Sequence, residues 1–513
     1  MAQPEAKAAN LRLADLADAR VAIWGYGREG RAALAALRRR FPAKAIALFC
    51  SEAEAGQVAN DMLATPSPTG ERVPEAPAPH GEPWLSGHPS VEDATQRQHP
   101  TPVPMGDGSI NVRTAQPDLG ALAQFDLVVK SPGISPYKSP APEAVQAGVR
   151  FTSGTALWFA ENPQARTICV TGTKGKSTVS ALIAHILRRS GLRVALAGNI
   201  GLPLLELLDQ ADREPAPDWW VIELSSFQAR DFDGAPTIAV INNLYEEHLD
   251  WHGSRERYIA DKLAIAARAG RVVVNAEPGL LAATASIAQR SLFGSLGGWH
   301  VADDAICRGA DRVLALPALP LPGLHNARNV CAALAAIDAT GLDAELLSAH
   351  VATFKPLPHR LQTLGTRDRI DYVNDSIATT PFATIEALLS LAGRATTVLV
   401  GGFDRGVSWR TFVDHVARHP PHAIVTMGAN GAAIAAALAT VAAPAFTLAS
   451  STTLADAVTR AQALTPPGGT ILLSPGAPSF DQFHDYAERG RQFARLAGFD
   501  PAAIAQIEGM GIA

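Results

Sequence analysis

Residues 167–178 read T-I-C-V-T-G-T-K-G-K-S-T, an apolar run that passes directly into a glycine-rich turn. The first five residues, Thr167–Thr171, have the composition of a buried strand, and residues 179–189 have that of a helix. A strand, a glycine turn and a helix in this order let backbone N–H groups surround a phosphate at the helix N-terminus. Lys176 can then reach the β- and γ-phosphates, and the hydroxyl of Ser177 or Thr178 can bind Mg²⁺.

The glycines of this turn are more closely spaced than in the common G-x-x-x-x-G-K-[ST] loop. Because strand, turn and helix are all present, we interpret the stretch as an ATP-binding loop; a turn required only for packing is the alternative. The residues predicted to contact ATP here are Thr171, Gly172, Thr173, Lys174, Gly175, Lys176, Ser177 and Thr178.

An earlier strand, Val21–Trp24, is also followed by glycines, in the pattern Gly25-x-Gly27-x-x-Gly30, and by a helix that runs to about residue 40. A second strand, at residues 46–49, completes a βαβ opening. Dinucleotide sites place an acidic residue at the end of this second strand. Here Cys50 and Ser51 occupy that position, and the first acidic residue, Glu52, lies too far along the chain. These residues favour the diphosphate of another nucleotide over a nicotinamide cofactor, and a turn used only for packing is the third possibility.

Strands and helices alternate through the rest of the chain, which predicts an α/β fold with parallel sheets. Its 513 residues suggest about three domains at roughly 150 residues each. We predict domains at 1–163, 164–355 and 356–513, with a Pro-rich insertion at 61–120 that holds 11 of the 37 prolines. The further strands are predicted at 125–129, 219–223, 237–242, 272–275, 370–373, 397–400, 423–426 and 470–473.

Charge and cysteine content exclude several classes of protein. The net charge is only −5, which argues against binding nucleic acid or a membrane surface through a broad basic patch. The four cysteines form no C-x-x-C pair and no apolar leader opens the chain, so we expect a cytoplasmic protein without a disulfide framework. The long uncharged run at 423–455 contains Asn430 and Pro444, and therefore indicates a strand and an Ala-rich helix instead of a membrane span.

Polar residues follow several of the predicted strands. Glu223 ends one strand and His248 follows another, and ligands bind at the carboxyl ends of parallel strands. We therefore expect both beside the phosphates and metal of the ATP-binding loop. Lys262 lies in an amphipathic helix and by itself reads as a surface lysine. Arg360 is a candidate for bracing the γ-phosphate and Asp375 for orienting ribose or metal, although neither residue requires such a role.

Seven motifs in this order resemble the Mur ligases, the ATP-dependent amide-forming enzymes of peptidoglycan synthesis. The motifs are G-T-K-G-K-S-T at 172–178, A-G-N-I-G at 197–201, E-L-S-S-F-Q at 223–228, E-E-H at 246–248, H-N-A-R-N at 325–329, L-P-H-R at 357–360 and N-D-S at 374–376. The resemblance covers nearly the whole chain outside the insertion.

The resemblance implies a Rossmann-like N-terminal domain for a UDP-substrate, a central P-loop ATPase domain and a Rossmann-like C-terminal domain for an amino acid. It also implies a mechanism in which ATP phosphorylates a carboxylate and an amine attacks the acyl phosphate. Because two anions must meet, cations have to neutralise them, and Lys176, Arg360 and two Mg²⁺ ions are expected to do so.

The resemblance also assigns further roles. The residues implied to hold metal are Ser177, Thr178, Glu223, His248 and Lys262, with Lys262 matching a lysine that is carbamylated in the family. Those implied to contact nucleotide are Asn326 at adenine, Asn329, Arg360 and Asp375. Those expected at the UDP-substrate are Gly25, Gly27, Ser51, Asn199 and Ser225. Catalysis is expected to depend on Lys176, His248, Lys262 and Arg360.

Within the family the motifs, including S-F-D-Q-F-x-x-Y-x-x-R-G at 479–490, look most like members that add glutamate to UDP-N-acetylmuramoyl-alanine. Ile377 and Arg405 stand where lysines are common, and Tyr486 where phenylalanine is common. A lysine-to-arginine change replaces a point charge by a rigid fork. Our hypothesis is therefore an acidic amino acid in a different pose, L-glutamate, as in the members whose product an epimerase inverts. The residues expected to hold it are Thr379, Arg405, Ser479, Phe480 and Tyr486.

The alternatives are a D-glutamate ligase, another Mur-type ligase such as a folylpolyglutamate-like synthase, a nucleotide-binding regulatory paralogue, and an NAD-dependent oxidoreductase. The expected partners are small molecules only, with no nucleic acid and no membrane span, and the expected state is a monomer.

Overall fold

The computed structural model describes residues 11–64, 108–211, 215–245, 247–504, 507 and 510–513. The chain packs as two compact units. The described residues up to Asn162 form one unit together with Pro203–Leu208 and Asp231–Asp233. Pro163–Leu202, Asp209–Arg230 and Gly234–Ala513 form the other.

The first unit is built on a five-stranded parallel sheet in the order β3-β2-β1-β4-β5. Its strands β1 to β5 are Val21–Trp24, Ile46–Phe49, Ile110–Arg113, Leu127–Lys130 and Arg150–Thr152. Its helices α1 to α5 are Arg28–Arg40, Glu52–Ala64, Leu119–Leu122, Ala141–Gln146 and Gly154–Glu161, and Leu13–Leu16 is a 3-10 helix. The strand order reverses at β1, so the carboxyl ends of β1 and β4 border a crevice of the kind that binds ligands.

The insertion predicted at 61–120 differs from the structure at both of its ends. Helix α2 continues to Ala64, and β3 within the predicted insertion is the edge strand of the sheet, paired with β2. The expectation that regular structure resumes only after residue 120 is therefore wrong. β3 was missed because an edge strand keeps much of its surface in water and lacks the continuous apolar run of a central strand. Residues 65–107 of the predicted insertion lie outside the described residues.

The second unit contains a large sheet that carries the ATP-binding loop. Its strands β6 to β11 are Thr167–Thr171, Val194–Gly198, Trp219–Glu223, Ile238–Ile241, Arg271–Asn275 and Arg290–Phe293. They are parallel in the order β11-β10-β9-β6-β8-β7, and Gly511–Ile512 adds an antiparallel strand beside β7. β6 and β8 are buried along their whole length because helices cover both faces of the sheet.

Helices alternate with the strands between β6 and residue 353. Helices α6 to α13 are Lys176–Arg189, Leu208–Ala211, Ser226–Arg230, Leu249–His252, Arg255–Leu263, Pro278–Ala283, Leu324–Thr340 and Ala344–Leu347. The 3-10 helices are Leu204–Leu207, Ala264–Ala266, Leu316–Ala318 and Ser348–Thr353. A small antiparallel sheet, absent from the sequence prediction, consists of β12 to β14 at Trp299–Ala302, Ala305–Arg308 and Asp311–Ala315.

A further six-stranded sheet occupies the last third of the chain. Strands β15 to β20 are Gln362–Arg367, Ile370–Asn374, Thr396–Val400, Ala423–Thr426, Thr447–Ser450 and Thr470–Leu473. They lie in the order β15-β16-β20-β17-β18-β19, with β15 antiparallel to β16 and the other pairs parallel. Helices α14 to α18 are Pro381–Ser390, Arg410–Arg418, Gly431–Leu438, Leu454–Leu464 and Tyr486–Leu496.

The predicted α/β class with parallel sheets is confirmed. The uncharged run at 423–455 forms β18, the helix α16 and β19. Across the part of the chain that the structure describes, no helix combines the length and the apolar character needed to cross a membrane. All four cysteines are buried and free.

Candidate active site

The glycine-rich turn between β6 and α6 is held by asparagine side chains. Gly175 caps α6 with a φ of +76°, and a Cβ there would collide with the amides of Asn329 and Asn242. Asn243 Oδ1 accepts the backbone N–H of Thr173 at 2.9 Å. A glycine is thus required at 175 both by its backbone conformation and by the close approach of its neighbours.

Two cations lie at the start of α6. Lys176 Nζ donates to the Thr173 carbonyl at 3.0 Å, and burial lowers the pKa of Lys176, opposed by the carboxylate of Glu223. Arg360 donates to Ser177 Oγ at 3.0 Å. The structure thus brings together three residues predicted to serve the triphosphate, Lys176, Ser177 and Arg360.

Glu223 provides the test of whether the site suits a cation. It ends β8 with 1% of its surface exposed, and its Oε1 accepts from Asn199 Nδ2 at 2.7 Å. Its other carboxylate oxygen, Oε2, is buried and has no hydrogen-bond partner among the described residues. A buried anionic oxygen without a partner is costly, and a divalent cation would satisfy it. These residues therefore fit Mg²⁺, whose preferred ligands are oxygens.

Lys262 contacts the same turn, and the charges of Lys262 and Lys176 act on His248. Lys262 is buried on α10 and donates to the Gly172 carbonyl at 2.8 Å; burial, with the nearby charge of Lys176, lowers the pKa of Lys262 well below its usual value. His248 has a φ of +57° and precedes α9, and burial lowers the pKa of its imidazole. Both shifts favour the neutral forms, an unprotonated amine and an imidazole able to bind metal.

The carboxylates and imidazoles do not form a metal cage by themselves. Among the described residues, no three His, Cys, Asp or Glu side chains are grouped so that they could hold a metal ion. Glu246, the first residue of the E-E-H motif, lies outside the described residues. A metal held here would therefore also need hydroxyl groups or nucleotide oxygens. The hydroxyl residues Ser177 and Thr178 are both buried at the start of α6.

Three asparagines form a relay at the predicted nucleotide residues. Asn326 Nδ2 donates to the Pro322 carbonyl at 2.7 Å, Asn329 Nδ2 donates to Asn326 Oδ1 at 3.3 Å, and Asn242 Nδ2 donates to Asn329 Oδ1 at 3.0 Å. The relay joins the start of α12 to the end of β9. It places Asn329 directly against the glycine-rich turn, whereas Asn326 lies one step further away.

Asp375 is buried behind the loop that carries Arg360. Its Oδ1 accepts the backbone N–H of Leu361 at 3.1 Å, and its Oδ2 accepts from Ser474 Oγ at 2.8 Å. Burial raises the pKa of Asp375 to about 7. In this structure Asp375 supports the backbone next to Arg360.

The residues predicted to hold an amino acid differ in exposure. Ser479 is buried and Thr379 half-buried, whereas Arg405 is exposed. Phe480 and Tyr486 are 66% and 40% exposed. Apart from Ser479, they project from loops and element ends, where an incoming ligand could be contacted.

A buried arginine lies beneath several of these loops. Arg489 on α18 is 1% exposed and donates through Nε and a terminal nitrogen to Ser376 and through the other nitrogen to the Pro478 carbonyl. Ser376 Oγ in turn donates to the Tyr486 carbonyl at 2.8 Å. Arg489 thus ties together segments that carry the predicted amino-acid residues. Sequence analysis assigns no role to Arg489, although it stands in the S-F-D-Q-F-x-x-Y-x-x-R-G motif.

The predicted UDP-substrate residues are divided between the two units. Gly25, Gly27 and Ser51 line a cavity of about 400 Å³ in the first unit, and Ser51 Oγ donates to Glu54 at 2.9 Å. In the second unit Asn199 contacts Glu223, as described above. Ser225 also lies there, paired with the side chain of Gln228.

Comparisons with known proteins give the family. Residues 170–337 match the Mur ligase middle domain. A protein of Xanthomonas euvesicatoria pv. vesicatoria (strain 85-10), named UDP-N-acetylmuramoyl-L-alanine–L-glutamate ligase, is 46% identical over 98% of this chain and 100% of its own length. The chain belongs to the Mur ligase family. A protein of the same name from Salinispora tropica is 36% identical over 94% of this chain and 98% of its own.

Solved Mur ligases share the fold at low sequence identity. The UDP-N-acetylmuramate-alanine ligase of Thermotoga maritima has a TM-score of 0.57 at 16% identity, covering 94% of this chain and 99% of its own. A UDP-N-acetylmuramoylalanyl-D-glutamyl-2,6-diaminopimelate–D-alanyl-D-alanyl ligase of Acinetobacter baumannii has a TM-score of 0.53 at 19% identity, over 72% of this chain and 89% of its own. The predicted three-domain Mur ligase fold is confirmed, with the β6–β11 and β15–β20 sheets both in the second compact unit. The chain is an ATP-dependent amide ligase.

Some polar groups of this Mur ligase site were not indicated by its motifs. Asn242 and Asn243 follow β9 directly and precede the E-E-H motif, and their position after a strand could have signalled them. Tyr258, whose hydroxyl lies 2.6 Å from Thr173 Oγ1, gives no such signal because it is one aromatic residue within an amphipathic helix.

Proposed function

We propose that this Mur ligase joins L-glutamate to UDP-N-acetylmuramoyl-L-alanine in peptidoglycan precursor synthesis, converting ATP to ADP and phosphate. The observation that carries the proposal is the whole-length similarity to ligases named for L-glutamate, at 46% identity in one relative. The alanyl carboxylate attacks the γ-phosphorus and ADP leaves. The glutamate amine then attacks the acyl phosphate, and phosphate leaves as the amide forms.

The cations of the second unit neutralise the anions that meet in this reaction. Lys176 serves the phosphates from the start of α6, and Arg360, already bound to Ser177, braces the γ-phosphate. Removing a stabilising donor of this kind costs an enzyme about 10² to 10³ in rate. The turn residues Thr171, Gly172, Thr173, Lys174 and Gly175 surround the phosphates, while Asn326, Asn329 and Asp375 serve the nucleotide.

We assign the metal-binding role to residues around Glu223 Oε2, which has no hydrogen-bond partner in the part of the chain that the structure describes. Ser177, Thr178, Glu223 and His248 would hold Mg²⁺, with two ions in all, and bound Mg²⁺ would polarise phosphate oxygens. Lys262 would join them as a carbamate. Its buried, low-pKa amine supports this assignment, because a neutral amine can attack CO₂ to give a carbamate with loss of a proton.

The remaining substrates bind at the two other groups of predicted residues. The cavity at Gly25, Gly27 and Ser51 takes the UDP group, and Asn199 and Ser225 are retained as residues that bind the UDP-substrate. Thr379, Arg405, Ser479, Phe480 and Tyr486 hold L-glutamate. The exposed guanidinium of Arg405 is suited to pair with a carboxylate as a planar fork.

The proposal also includes the wider setting of the reaction. We place it in the cytoplasm, with the protein acting as a monomer on small molecules and an epimerase acting on the product. We retain domain boundaries near 163 and 355 as part of the proposal.

Turnover with the two enantiomers of glutamate tests the assignment. With UDP-N-acetylmuramoyl-L-alanine and ATP, we expect faster release of phosphate with L-glutamate than with D-glutamate, and a product of the corresponding mass. Omission of either substrate is the control for uncoupled ATP hydrolysis. Faster turnover with D-glutamate would refute the L assignment, and no stimulation by the UDP-substrate would instead favour another Mur-type ligase.

A further inference from the structure

A buried chain of hydrogen bonds links three short segments of the second unit. His252 Nδ1 lies 2.6 Å from Asp261 Oδ2, and His252 Nε2 lies 3.0 Å from Ser226 Oγ. His252 is 0%, Ser226 3% and Asp261 8% exposed. Because the carboxylate accepts the Nδ1–H, Nε2 is left to accept the serine O–H. The serine has almost no exposed surface, so this chain is not arranged for nucleophilic attack on a substrate.

Each member of this chain stands near one residue that we assign to metal. Ser226 begins α8, three residues after Glu223. His252 ends α9, the helix that begins directly after His248, and Asp261 immediately precedes Lys262 on α10. The hydrogen bonds therefore connect the three segments that carry Glu223, His248 and Lys262.

Aromatic packing continues the connection toward both the metal ligands and the phosphate turn. Phe227 stacks on Trp251 with ring centroids 4.5 Å apart, and its ring also contacts that of His248 at 5.0 Å. On the other side His252 meets the Tyr258 ring edge-on at 5.2 Å, and the Tyr258 hydroxyl reaches the phosphate turn.

Short helices need such external support. α8, α9 and α10 have five, four and nine residues, whereas isolated helices shorter than about 12 residues are marginal in water. Metal ligands must nevertheless be held within about 0.5 Å of the productive geometry. The chain of hydrogen bonds through His252 supplies a fixed spacing that the three helices alone would not provide.

We propose that His252 and Asp261 are positioning residues that set the spacing of Glu223, His248 and Lys262 for a divalent cation bound with the nucleotide. The inference rests on the proposed function insofar as it uses those three residues as metal ligands. It concerns cation affinity, and does not depend on which amino acid the enzyme joins.

Direct binding of Mn²⁺ tests the proposal. Free Mn²⁺ is measured by electron paramagnetic resonance while the whole protein is titrated in the presence of ADP. His252→Phe keeps a ring but removes both nitrogens, and we expect the Mn²⁺ affinity to fall by about tenfold, as for other residues that orient metal ligands. Asp261→Asn keeps an oxygen that can accept the Nδ1–H, so we expect it to lie within about threefold of the wild type.

A matched control uses another buried histidine of the same unit. His300 on β12 is 6% exposed, and we expect His300→Phe to leave Mn²⁺ affinity unchanged. A His252→Phe protein with normal Mn²⁺ affinity overturns the proposal, even if its melting temperature falls. Should His252→Phe fail to fold, an Asp261→Ala affinity equal to that of Asp261→Asn would also overturn it. Wild-type protein that binds Mn²⁺ and ADP but forms no glutamate amide would contradict the proposed function and leave this inference standing.

Discussion

Two glycine-rich turns in this chain obey the same backbone rule but differ in what surrounds them. Gly25 follows β1 in the first unit and Gly172 follows β6 in the second, and each turn leads into a helix at the carboxyl edge of a parallel sheet. In the first turn, a Cβ on Gly30 would collide with the Gly25 carbonyl, so this glycine serves the packing of helix on strand. In the second, Gly175 is crowded by amide side chains from other elements.

The chemistry of each turn is decided by side chains from elsewhere in the sequence. The first turn meets an acidic group: Glu54 accepts the backbone N–H of Tyr26 at 3.1 Å and that of Ser51 at 2.8 Å. The second meets cations, with Lys176 inside the helix and Arg360 arriving from far along the chain. Glycine spacing alone therefore identifies a place for a ligand, and the neighbouring charges determine which ligand.

The largest difference between the turns should appear when the helix lysine of the second turn is removed. We expect Lys176→Ala to reduce ligation by about 10³-fold, because the charge that neutralises the phosphates is lost. Lys174 of the same turn has a half-exposed side chain paired with Glu247, and Lys174→Ala is expected to cost less than about tenfold. Amide product is measured by mass under saturating substrates. Equal losses in the two variants would refute the distinct role of Lys176.

The two turns should also differ in how the titratable groups near them make stability depend on pH. Burial raises the pKa of Tyr26, beside the first turn, to about 12, while burial raises the pKa of Asp375, behind Arg360, to about 7. An unfolded aspartate has a pKa of about 3.9, so between about pH 4 and 7 the folded state keeps a proton that the unfolded state has lost. The contribution of Asp375 to stability is therefore present at low pH and is lost as the pH rises through 7.

Asp375→Asn imitates the protonated form and should remove this dependence. From pH 5 to 7 we expect the free energy of unfolding to fall by about 2 to 3 kcal/mol more in the wild type than in Asp375→Asn, at about 1.4 kcal/mol per pH unit. Urea unfolding at a series of pH values measures it. Tyr26→Phe is the matched control and should follow the wild-type slope. The same slope in Asp375→Asn as in the wild type would contradict the assignment.

Most strands that are buried along their whole length could be predicted from the sequence. β6 is wholly apolar or β-branched and was placed with its observed bounds. β7 was not predicted although it is buried along its whole length, and β3, β5, β11, β15, β19 and the antiparallel sheet β12–β14 were not predicted either. β3 leaves its two central residues exposed, and β12 and β14 contain residues that are only partly buried, so none of these three strands shows a continuous apolar run.

The parts of the candidate site that lie within a single motif could be predicted from the sequence. Lys176 and Ser177 stand in the loop itself, so their proximity follows from the spacing. The hydrogen bonds of His252 join Ser226 to Asp261 across 35 residues, and only the packing of three short helices brings these groups together. Burial adds a further property that spacing does not contain, because the pKa of Asp375 depends on its desolvation in the folded chain.

The smallest expected effect separates a ligand role from a packing role within the first turn. Gly27 has a φ of −66°, and a Cβ built there would meet nothing within 4 Å, although Gly27 lines the cavity. Gly27→Ala should therefore keep the wild-type melting temperature. If a diphosphate approaches the backbone there, the added methyl group should raise the KM for the UDP-substrate by about tenfold and leave the KM for ATP unchanged, since close approach is what glycine permits.

Gly30→Ala is the converse variant, because its methyl group would strike the Gly25 carbonyl; we expect a loss of about 1 to 3 kcal/mol in stability. An unchanged KM for the UDP-substrate in a fully folded Gly27→Ala protein would mean that the first turn serves only packing and that the UDP group binds elsewhere.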